Sequence, residues 1–400
     1  MITLQEAVKR IDEAVKRLQP ASVPLAEAVG CLVSEDIAAP ISVPQFSSSA
    51  MDGIALRVAD LSGNGPWRLP IQSVIAAGHS QQVTLKDRHA AKVMTGAPLA
   101  EDADTVIPIE SVTIESNHVI IRERPPLGEY VRPLGNDITL GQMLFRQGEL
   151  LKPVDTGVLA SVGITNVMVI PQPKIAVIST GSELVEPGEK LRYGQIYDSN
   201  SPALCSLLGH DRFPVTTRTR VSTNDREPLF KALRECIKNH DLVISTGGVS
   251  MGDYDFIPEI TRTLGGTILF HKVAVKPGKP TLMAHFGDRW LLSLPGNPVS
   301  AVVGYYLYVR RIIARLSGVP YEPESSHAIL ASDVTITDSR YAIIGARLEA
   351  TDGGLIGHPS LRQESGRLSS ICGINGLIMV EGGKRTIKKG ARVFVEFMDT

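Results

Sequence analysis

Lys174-Ile-Ala-Val-Ile-Ser-Thr-Gly181 and Asp241-Leu-Val-Ile-Ser-Thr-Gly-Gly248 repeat one pattern, an unbroken apolar run that closes on Ser-Thr-Gly. Short runs of this kind ending in glycine read as strands buried on both faces, the type found in parallel sheets. Working outward, Pro202 to Leu208 reads as helix, Val215 to Val221 alternates like a strand, and Arg226 to His240 is an amphipathic helix. Beyond the second copy come a short helix at Phe256 to Leu264 and strands at Thr267 to Lys276 and Trp290 to Leu294. Asn297 is placed to cap the last long helix, with Pro298 in its first turn. Strands alternating with helices predict a parallel sheet with helices on both faces, a three-layer α/β/α domain over residues 171–319.

The flanking segments differ in character. Thr3 and Glu6 form a capping box ahead of an apolar stripe of Leu4, Ala7, Val8, Ile11, Ala14, Val15 and Leu18, which Pro20 stops. Such a stripe must pack on something, either its own chain or a partner subunit. From Phe46 to Arg132 the signals are short strands, at Val74 to Ala76, Thr105 to Pro108 and His118 to Arg122, with reversals at Asn117 and Gly128. After Gly318 and Pro320 short strands return, at Ala328 to Leu330, Ala342 to Leu348, Leu377 to Val380 and Arg392 to Phe397. The expected fold is therefore multidomain α/β plus β. Residues 1–45 and 134–170 form an N-terminal helical and linker region, 46–133 an inserted β-rich domain, 171–319 the α/β domain and 320–400 a small β-barrel-like domain.

Composition removes several function classes. A formal net charge of -1 and no basic stripe with interleaved aromatics argue against nucleic acid as a partner. Cys31, Cys205, Cys236 and Cys372 are far apart, which indicates neither a disulfide framework nor a zinc knuckle and suits a reducing compartment. Met1 to Leu18 is interrupted by charge and does not read as a signal peptide. The longest apolar run, Ala301 to Val309, meets Arg310 and Arg311 well short of a membrane span, so a cytoplasmic protein is expected.

The chemistry concentrates in the central region. Both Ser-Thr-Gly turns open at the carboxyl edge of the sheet, where α/β proteins bind ligands. Gly181, Gly247 and Gly248 let backbone N–H groups approach an anion, and Ser179, Thr180, Ser245, Thr246 and Ser250 add hydroxyls, although ordinary strand-to-helix turns have the same composition. Glu183, Asp225, Asp253 and Asp255 supply carboxylates without His or Cys, the donor set of a hard cation such as magnesium. Taken singly, each is an ordinary surface acid, and Asp225 is placed to cap the Arg226 helix. In His271-Lys-Val-Ala-Val-Lys-Pro-Gly-Lys-Pro280, alternation sets Val273 and Val275 on one face and Lys272 and Lys276 on the other, with Lys279 across the turn. Leu294-Pro-Gly-Asn-Pro-Val-Ser300 opens a helix, whose free N–H groups are either an anion site or a simple cap.

Together these segments resemble the molybdopterin molybdenumtransferase family, called MoeA in bacteria and the E domain of gephyrin in animals. The match is an ordered set: Ser48-Ser-Ala-Met-Asp-Gly-Ile-Ala55, Met94-Thr-Gly-Ala-Pro98, Asp104-Thr-Val-Ile-Pro108 and Arg132-Pro-Leu-Gly-Asn-Asp-Ile138. It continues through Ser179-Thr-Gly-Ser-Glu-Leu184, the Ser245 to Asp255 loop, Lys276-Pro-Gly-Lys-Pro280, Pro295-Gly-Asn-Pro-Val-Ser300 and Ser365-Gly-Arg-Leu-Ser-Ser370. The resemblance implies that the central domain binds adenylylated molybdopterin, and that molybdate is inserted with release of AMP.

By the same resemblance, Asp52, Thr95 and Asp137 are functional positions of the inserted domain. Glu183, Asp225 and Asp255 are the acids that hold Mg2+, and Lys272, Lys276 and Lys279 lie near the anion. Pro295, Asn297, Pro298 and Ser300 belong to the final loop, and Arg347 and Ser370 match in the tail. The family implies an elongated homodimer with its site near the subunit boundary, which would give the N-terminal helix a partner. It also implies exchange with a molybdopterin adenylyltransferase and with apo-molybdoenzymes. Two departures stand out: Ser182 and Asn224 occupy positions where relatives often carry an acid, which touches the detail of metal binding. A binding scaffold and a nucleotide-pyrophosphate hydrolase on the same central domain are the rival readings. Neither a Ser-His-Asp nor a Cys-His arrangement is evident, so no covalent enzyme intermediate is expected.

Overall fold

The computed structural model describes residues 1–213, 215–221, 225–249, 256–360 and 366–398. It divides into two compact units, one of residues 1–21, 30–32 and 170–400, the other of 22–29 and 33–169.

The first unit opens with α1 (Leu4–Ala14), capped by Thr3 Oγ1, which accepts the Glu6 N–H at 3.1 Å. The helix ends at Ala14, well before Pro20, because Val15 turns extended to bury its side chain. Leu4, Ala7 and Ile11 of the stripe are buried with Phe270, Ile312, Ile313 and Leu316 of the same unit. Arg311 clasps Asp12 at 3.0 Å, and Arg10 donates to the Leu269 carbonyl. The stripe is thus covered within its own chain, and it clusters with the central segments rather than with residues 134–170.

The central sheet has the order β2-β1-β3-β6-β5-β4. Its strands are β1 (Ile175–Thr180), β2 (Val215–Val221), β3 (Leu242–Thr246), β4 (Thr267–His271), β5 (Leu282–Phe286) and β6 (Arg289–Leu294). β2, β1, β3 and β6 are parallel, as the alternation with helices requires. β5 runs antiparallel to both its neighbours, β6 and β4, which corrects the all-parallel expectation. The Gly287 turn lets β5 and β6 form a tight hairpin, and sequence reading missed β5, whose apolar run starts directly after the Pro-rich Lys276–Pro280 segment.

Alternate residues of these strands feed two cores. Ile175, Val177, Leu242, Ile244 and Leu292 pack with α1, α2 (Asn200–His210), α5 (Pro298–Gly304) and α6 (Arg310–Ser317). Ala176, Ile178, Val243 and Leu291 pack with α3 (Arg226–Asn239) and α4 (Ile257–Thr263).

The expected strand from Thr267 to Lys276 is broken. Lys272 has φ +71, a left-handed conformation that ends β4, and Val275–Lys276 instead pairs with Tyr341–Ala342 of the tail. In the tail β7 (Ser325–Leu330), β8 (Tyr341–Thr351), β9 (Gly354–Pro359), β10 (Gly376–Val380) and β11 (Arg392–Phe397) run in the order β8-β9-β7-β11-β10. β10 pairs back onto β8, so the sheet closes into a small barrel. Its interior holds Ala328, Ile344, Ala346, Ile378 and Val395, all buried.

The second unit is built on a six-stranded sheet containing Gly53–Leu56, Trp67–Ile75, Ala90–Val93, Thr105–Pro108, Thr113–Glu115 and His118–Ile121. The reversal expected at Asn117 has φ +61, and that at Gly128 has φ +79. No helix among the described residues is long and apolar enough to cross a membrane.

Candidate functional site

β1, β3 and β6 end side by side, and the turns that follow them line one open cavity of about 510 Å³. Glu183 and Leu184 come from the first turn, Gly247 to Val249 from the second, and Pro295 to Pro298 from the third. This is the carboxyl edge of the parallel strands, where the helices' N-termini and the loops leave a crevice. The segment Ile196 to Asn200, Pro280 and Gly366 complete the described wall.

The glycines are required by geometry. Gly247 has φ +89, and a Cβ there would lie 2.6 Å from the Thr180 carbonyl oxygen, so the two Ser-Thr-Gly turns touch through it. A Cβ on Gly181 would meet the Glu183 carboxylate at 2.5 Å. Their N–H groups are already engaged: Gly247 donates to Leu294 O at 3.1 Å and Gly181 to Val221 O at 3.2 Å. These two amides tie the turns to the sheet, which corrects the expectation that they cradle an anion.

The two serines of the repeated motif point to opposite faces. The parallel register sets Ser179 beside Thr246 and Ile178 beside Ser245, one residue out of step with the repeat. Ser245 Oγ donates to Ser293 Oγ at 2.7 Å inside the α3/α4 face and is fully buried. It belongs to the core, not to the cavity. Ser179 Oγ, on the α2 face, donates to Asp198 Oδ2 at 2.7 Å. Thr180 Oγ1 donates to the Thr246 carbonyl at 3.3 Å, and Thr246 is itself buried.

Asp198 and Asn200 are residues that sequence reading missed. Asp198 is 1% exposed and accepts from Ser179 Oγ, Ser201 Oγ and Ser201 N, with Arg218 Nη2 at 3.7 Å. Burial raises its pKa, but the donors from Ser201 and Ser179 and the Arg218 cation outweigh this, and the carboxyl stays below the ordinary carboxylate range. Asn200 Nδ2 donates to the Gly296 carbonyl at 2.8 Å, joining the start of α2 to the loop after β6. The Asp-Ser-Asn-Ser-Pro run before an apolar helix was the available signal.

The other expected residues fall in several places. Asp225 sits at the N-cap position of α3, without a side-chain cap bond, and does not line the described cavity. Ser250, Asp253 and Asp255 lie outside the described residues. Among the described residues no three His, Cys, Asp or Glu groups converge closely enough to hold a metal ion. Lys272, Lys276 and Lys279 are not gathered on one strand face: the left-handed turn at Lys272 separates it from Lys276, whose Nζ donates to Thr337 Oγ1 at 3.2 Å. None of the three lines the described cavity; Pro280, at the end of their segment, does.

Asn297 occupies the N-cap of α5, but its side chain makes no cap bond, and Ser300 is buried one turn on. Arg347 is exposed on β8 and pairs with Glu349 at 3.3 Å, while His358 reaches the same carboxylate at 3.2 Å. Ser370 Oγ donates to the Arg367 carbonyl at 2.6 Å and borders a separate narrow apolar gap between α5 and the barrel.

In the second unit two of the expected residues are in direct contact. Asp52 Oδ1 accepts from Thr95 N at 2.7 Å and from Thr95 Oγ1 at 2.8 Å, joining two motifs 43 residues apart. The Thr95 backbone and side-chain donors hold the exposed Asp52 carboxyl below its usual range. Gly53 is obligatory beside it, since a Cβ would lie 2.2 Å from the Ile107 carbonyl oxygen. Asp137 is exposed, its N–H donating to Val43 O at 3.0 Å.

A model described as "MoeA N-terminal region (domain I and II)" matches residues 2–163, "Probable molybdopterin binding domain" matches 176–315, and "MoeA C-terminal region (domain IV)" matches 327–398. A curated protein of Staphylococcus epidermidis named molybdopterin molybdenumtransferase is 34% identical over 394 residues, 97% of this chain and 94% of its own. A Staphylococcus aureus protein of the same name is 32% identical over 396 residues, 98% of this chain and 94% of its own. Among solved structures, a molybdopterin biosynthesis MoeA protein from Pyrococcus horikoshii aligns over 100% of both chains with TM-score 0.74 and 29% identity. A second from the same organism gives TM-score 0.62 and 27% identity over 99% of this chain and 100% of its own. Two terminal regions, a central domain and full-length relatives all agree in order along the sequence: the chain belongs to the MoeA family of molybdopterin molybdenumtransferases.

Proposed function

We propose that this chain is a molybdopterin molybdenumtransferase, which inserts molybdate into adenylylated molybdopterin, releases AMP and forms the molybdenum cofactor. The observation that carries the reading is the meeting of three separate motif turns, at Glu183, Gly247 and Asn297, around one cavity at the carboxyl edge of the sheet. The central α/β/α layers serve as the molybdopterin-binding domain. Asp198 and the Asn200–Gly296 bond fix the cavity wall before substrate arrives, so that binding orders few protein groups.

The described cavity wall carries two carboxylates, Glu183 and Asp198, and neither Lys nor Arg. A phosphoanhydride held there calls for a cation, and the carboxylate-only donor set suits a hard ion such as Mg2+. Glu183 and Asp225 would hold it together with Asp255. When bound, it supplies charge neutralisation at the phosphate oxygens. Lys272, Lys276 and Lys279 serve the anions, with Arg347 and Ser370 in supporting positions of the tail. Asp52, Thr95 and Asp137 are the functional positions of the second unit.

The working form is a homodimer, supported by exposed Leu127, Leu134, Leu140 and Val154 on the second unit, apolar groups that lose least by being covered. It takes its substrate from a molybdopterin adenylyltransferase and passes its product to apo-molybdoenzymes in the cytoplasm, consistent with four free cysteines. The test is AMP release from adenylylated molybdopterin with and without molybdate. Molybdate-dependent release with transfer of metal to the pterin is expected. Release that ignores molybdate indicates a hydrolase, and no release from folded protein overturns the enzyme reading.

A further inference from the structure

The central sheet carries a second cavity, of about 260 Å³, at the edge opposite the first. β5 ends and β6 begins there, and the chain leaving α1 forms the rest of the wall, all within the first unit. Trp290 stands near the start of β6, about 13 Å along the strand from Leu294, where the first cavity begins. His285 and Trp290 are cross-strand partners, so both rings lie on the sheet face that α1 covers, with centroids 5.5 Å apart. Trp290 is 5% exposed, yet its indole N–H meets no acceptor among the described residues and is not closed off from solvent. Buried indoles normally find a partner, and the cavity that Trp290 lines is the opening left to this donor.

The charges on the wall are unmatched as well. Arg17 is exposed and makes no ion pair or hydrogen bond among the described residues. Lys16 Nζ donates to the Glu13 carbonyl at 2.6 Å and has no carboxylate partner. Asp288, beside the Gly287 turn, is the one acid of the wall and forms no ion pair with either cation. Two cations and an indole N–H thus share one wall with a single carboxylate, and Leu18 and the two rings supply apolar surface between them. The volume lies near the lower end for small-molecule sites, about 300 Å³.

We propose that this cavity is a second binding site, for a small organic acid. The acid's carboxylate or phosphate meets Arg17 and the Trp290 N–H, and its apolar body lies against Leu18 and the His285–Trp290 pair. A neutral ring leaves the cations without a partner, and a bare inorganic anion leaves the apolar wall wet; both bind less well. The site shares no residue with the first cavity and is independent of the substrate assigned there.

The test uses the full chain, by calorimetry on the wild type and by tryptophan emission in Trp67→Phe, which leaves Trp290 as the remaining one of the two tryptophans. The probes are 3-phenylpropionate, its neutral amide, propionate, phenyl phosphate and inorganic phosphate. At least one of the two aromatic acids is expected to bind saturably, to change Trp290 emission, and to bind roughly tenfold tighter than the amide. It also outbinds its ring-free counterpart, and whichever acid binds tighter names the oxyanion. Arg17→Gln, at an exposed position where folding is unaffected, is expected to bring the acid down to the affinity of the amide. The proposal is overturned by no saturable binding of either aromatic acid, by an amide or a ring-free anion that binds equally well, by undiminished binding in Arg17→Gln, or by binding that leaves Trp290 emission unchanged.

Discussion

Gly247→Ala is the most informative single perturbation of the site, because two structural costs can be separated. The first is conformational: φ +89 is left-handed, and a side chain there costs about 1–2 kcal/mol. The second is steric. The new Cβ would lie 2.6 Å from Thr180 O and 2.8 Å from Thr180 Oγ1, while carbon–oxygen contacts settle near roughly 3.3 Å. The turn after β1 must therefore retreat by about 0.7 Å, adding about 1–3 kcal/mol of strain. That turn carries Glu183, so the wall moves with it. Displacements approaching an ångström at a reacting centre lower turnover by about a hundredfold.

Gly265→Ala is the matched control: its φ is +82, but nothing lies within 4 Å of the added Cβ. It is expected to lower stability by about 1–2 kcal/mol and leave turnover within about twofold. Both variants are read by thermal melting and by molybdate-dependent AMP release. Wild-type turnover in Gly247→Ala, or an equal loss in Gly265→Ala, refutes the claim that the Gly247–Thr180 contact sets the cavity.

Three further outcomes are expected. Ser245→Ala strands the Ser293 hydroxyl in the core and lowers stability by about 1–3 kcal/mol, with KM unchanged because Ser245 does not face the cavity; a raised KM at unchanged stability would contradict that placement. Asp198 has a folded pKa below its unfolded value, so its contribution is present above pH about 4 and disappears as pH falls through the lower folded value. Asp198→Asn therefore destabilises the protein at pH 7 and progressively less as pH falls below about 4, and a destabilisation that does not change with pH, measured by denaturant titration, goes against it. Lys276→Ala removes an exposed side chain with one bond to Thr337, so melting stays within about 0.5 kcal/mol of wild type while metal insertion is abolished; full insertion activity defeats its assignment to the anion.

The sequence made the central sheet legible because its strands are apolar runs without competing signals: β1, β3 and β6 lie within a residue or two of their expected bounds. Motif resemblance singled out Asp52 and Thr95 separately, but their hydrogen bond, across 43 residues of chain, is visible only in the fold. What stayed hidden depends on long-range geometry. The repeated Ser-Thr-Gly looks symmetric in sequence, yet a one-residue offset in register sends Ser179 to α2 and Ser245 to α3 and α4. Lys272 looks like a strand residue because its left-handed conformation is held by bonds beyond its neighbours, its carbonyl accepting from Ile2, 270 residues away, and its N–H donating to Thr281 across the Pro-rich loop. Barrel closure between β8 and β10 leaves no trace in alternation, since an edge strand and a closed strand have the same pattern.

The position of α1 has a consequence for biogenesis. The helix is synthesised ahead of Phe270 and Leu316, which cover its stripe and are made some 250–310 residues later. At translation rates of about 5–20 residues per second, that delay is roughly 15–60 seconds. Eleven residues are too few to hold a helix alone in water, so for this interval the segment is unstructured and its apolar stripe uncovered. Ile2 then closes on the Lys272 carbonyl and the Ala274 N–H only after the central sheet exists. The turn from Lys272 to Ala274 is thereby completed late, by a contact that joins the first residues of this unit to its central segment.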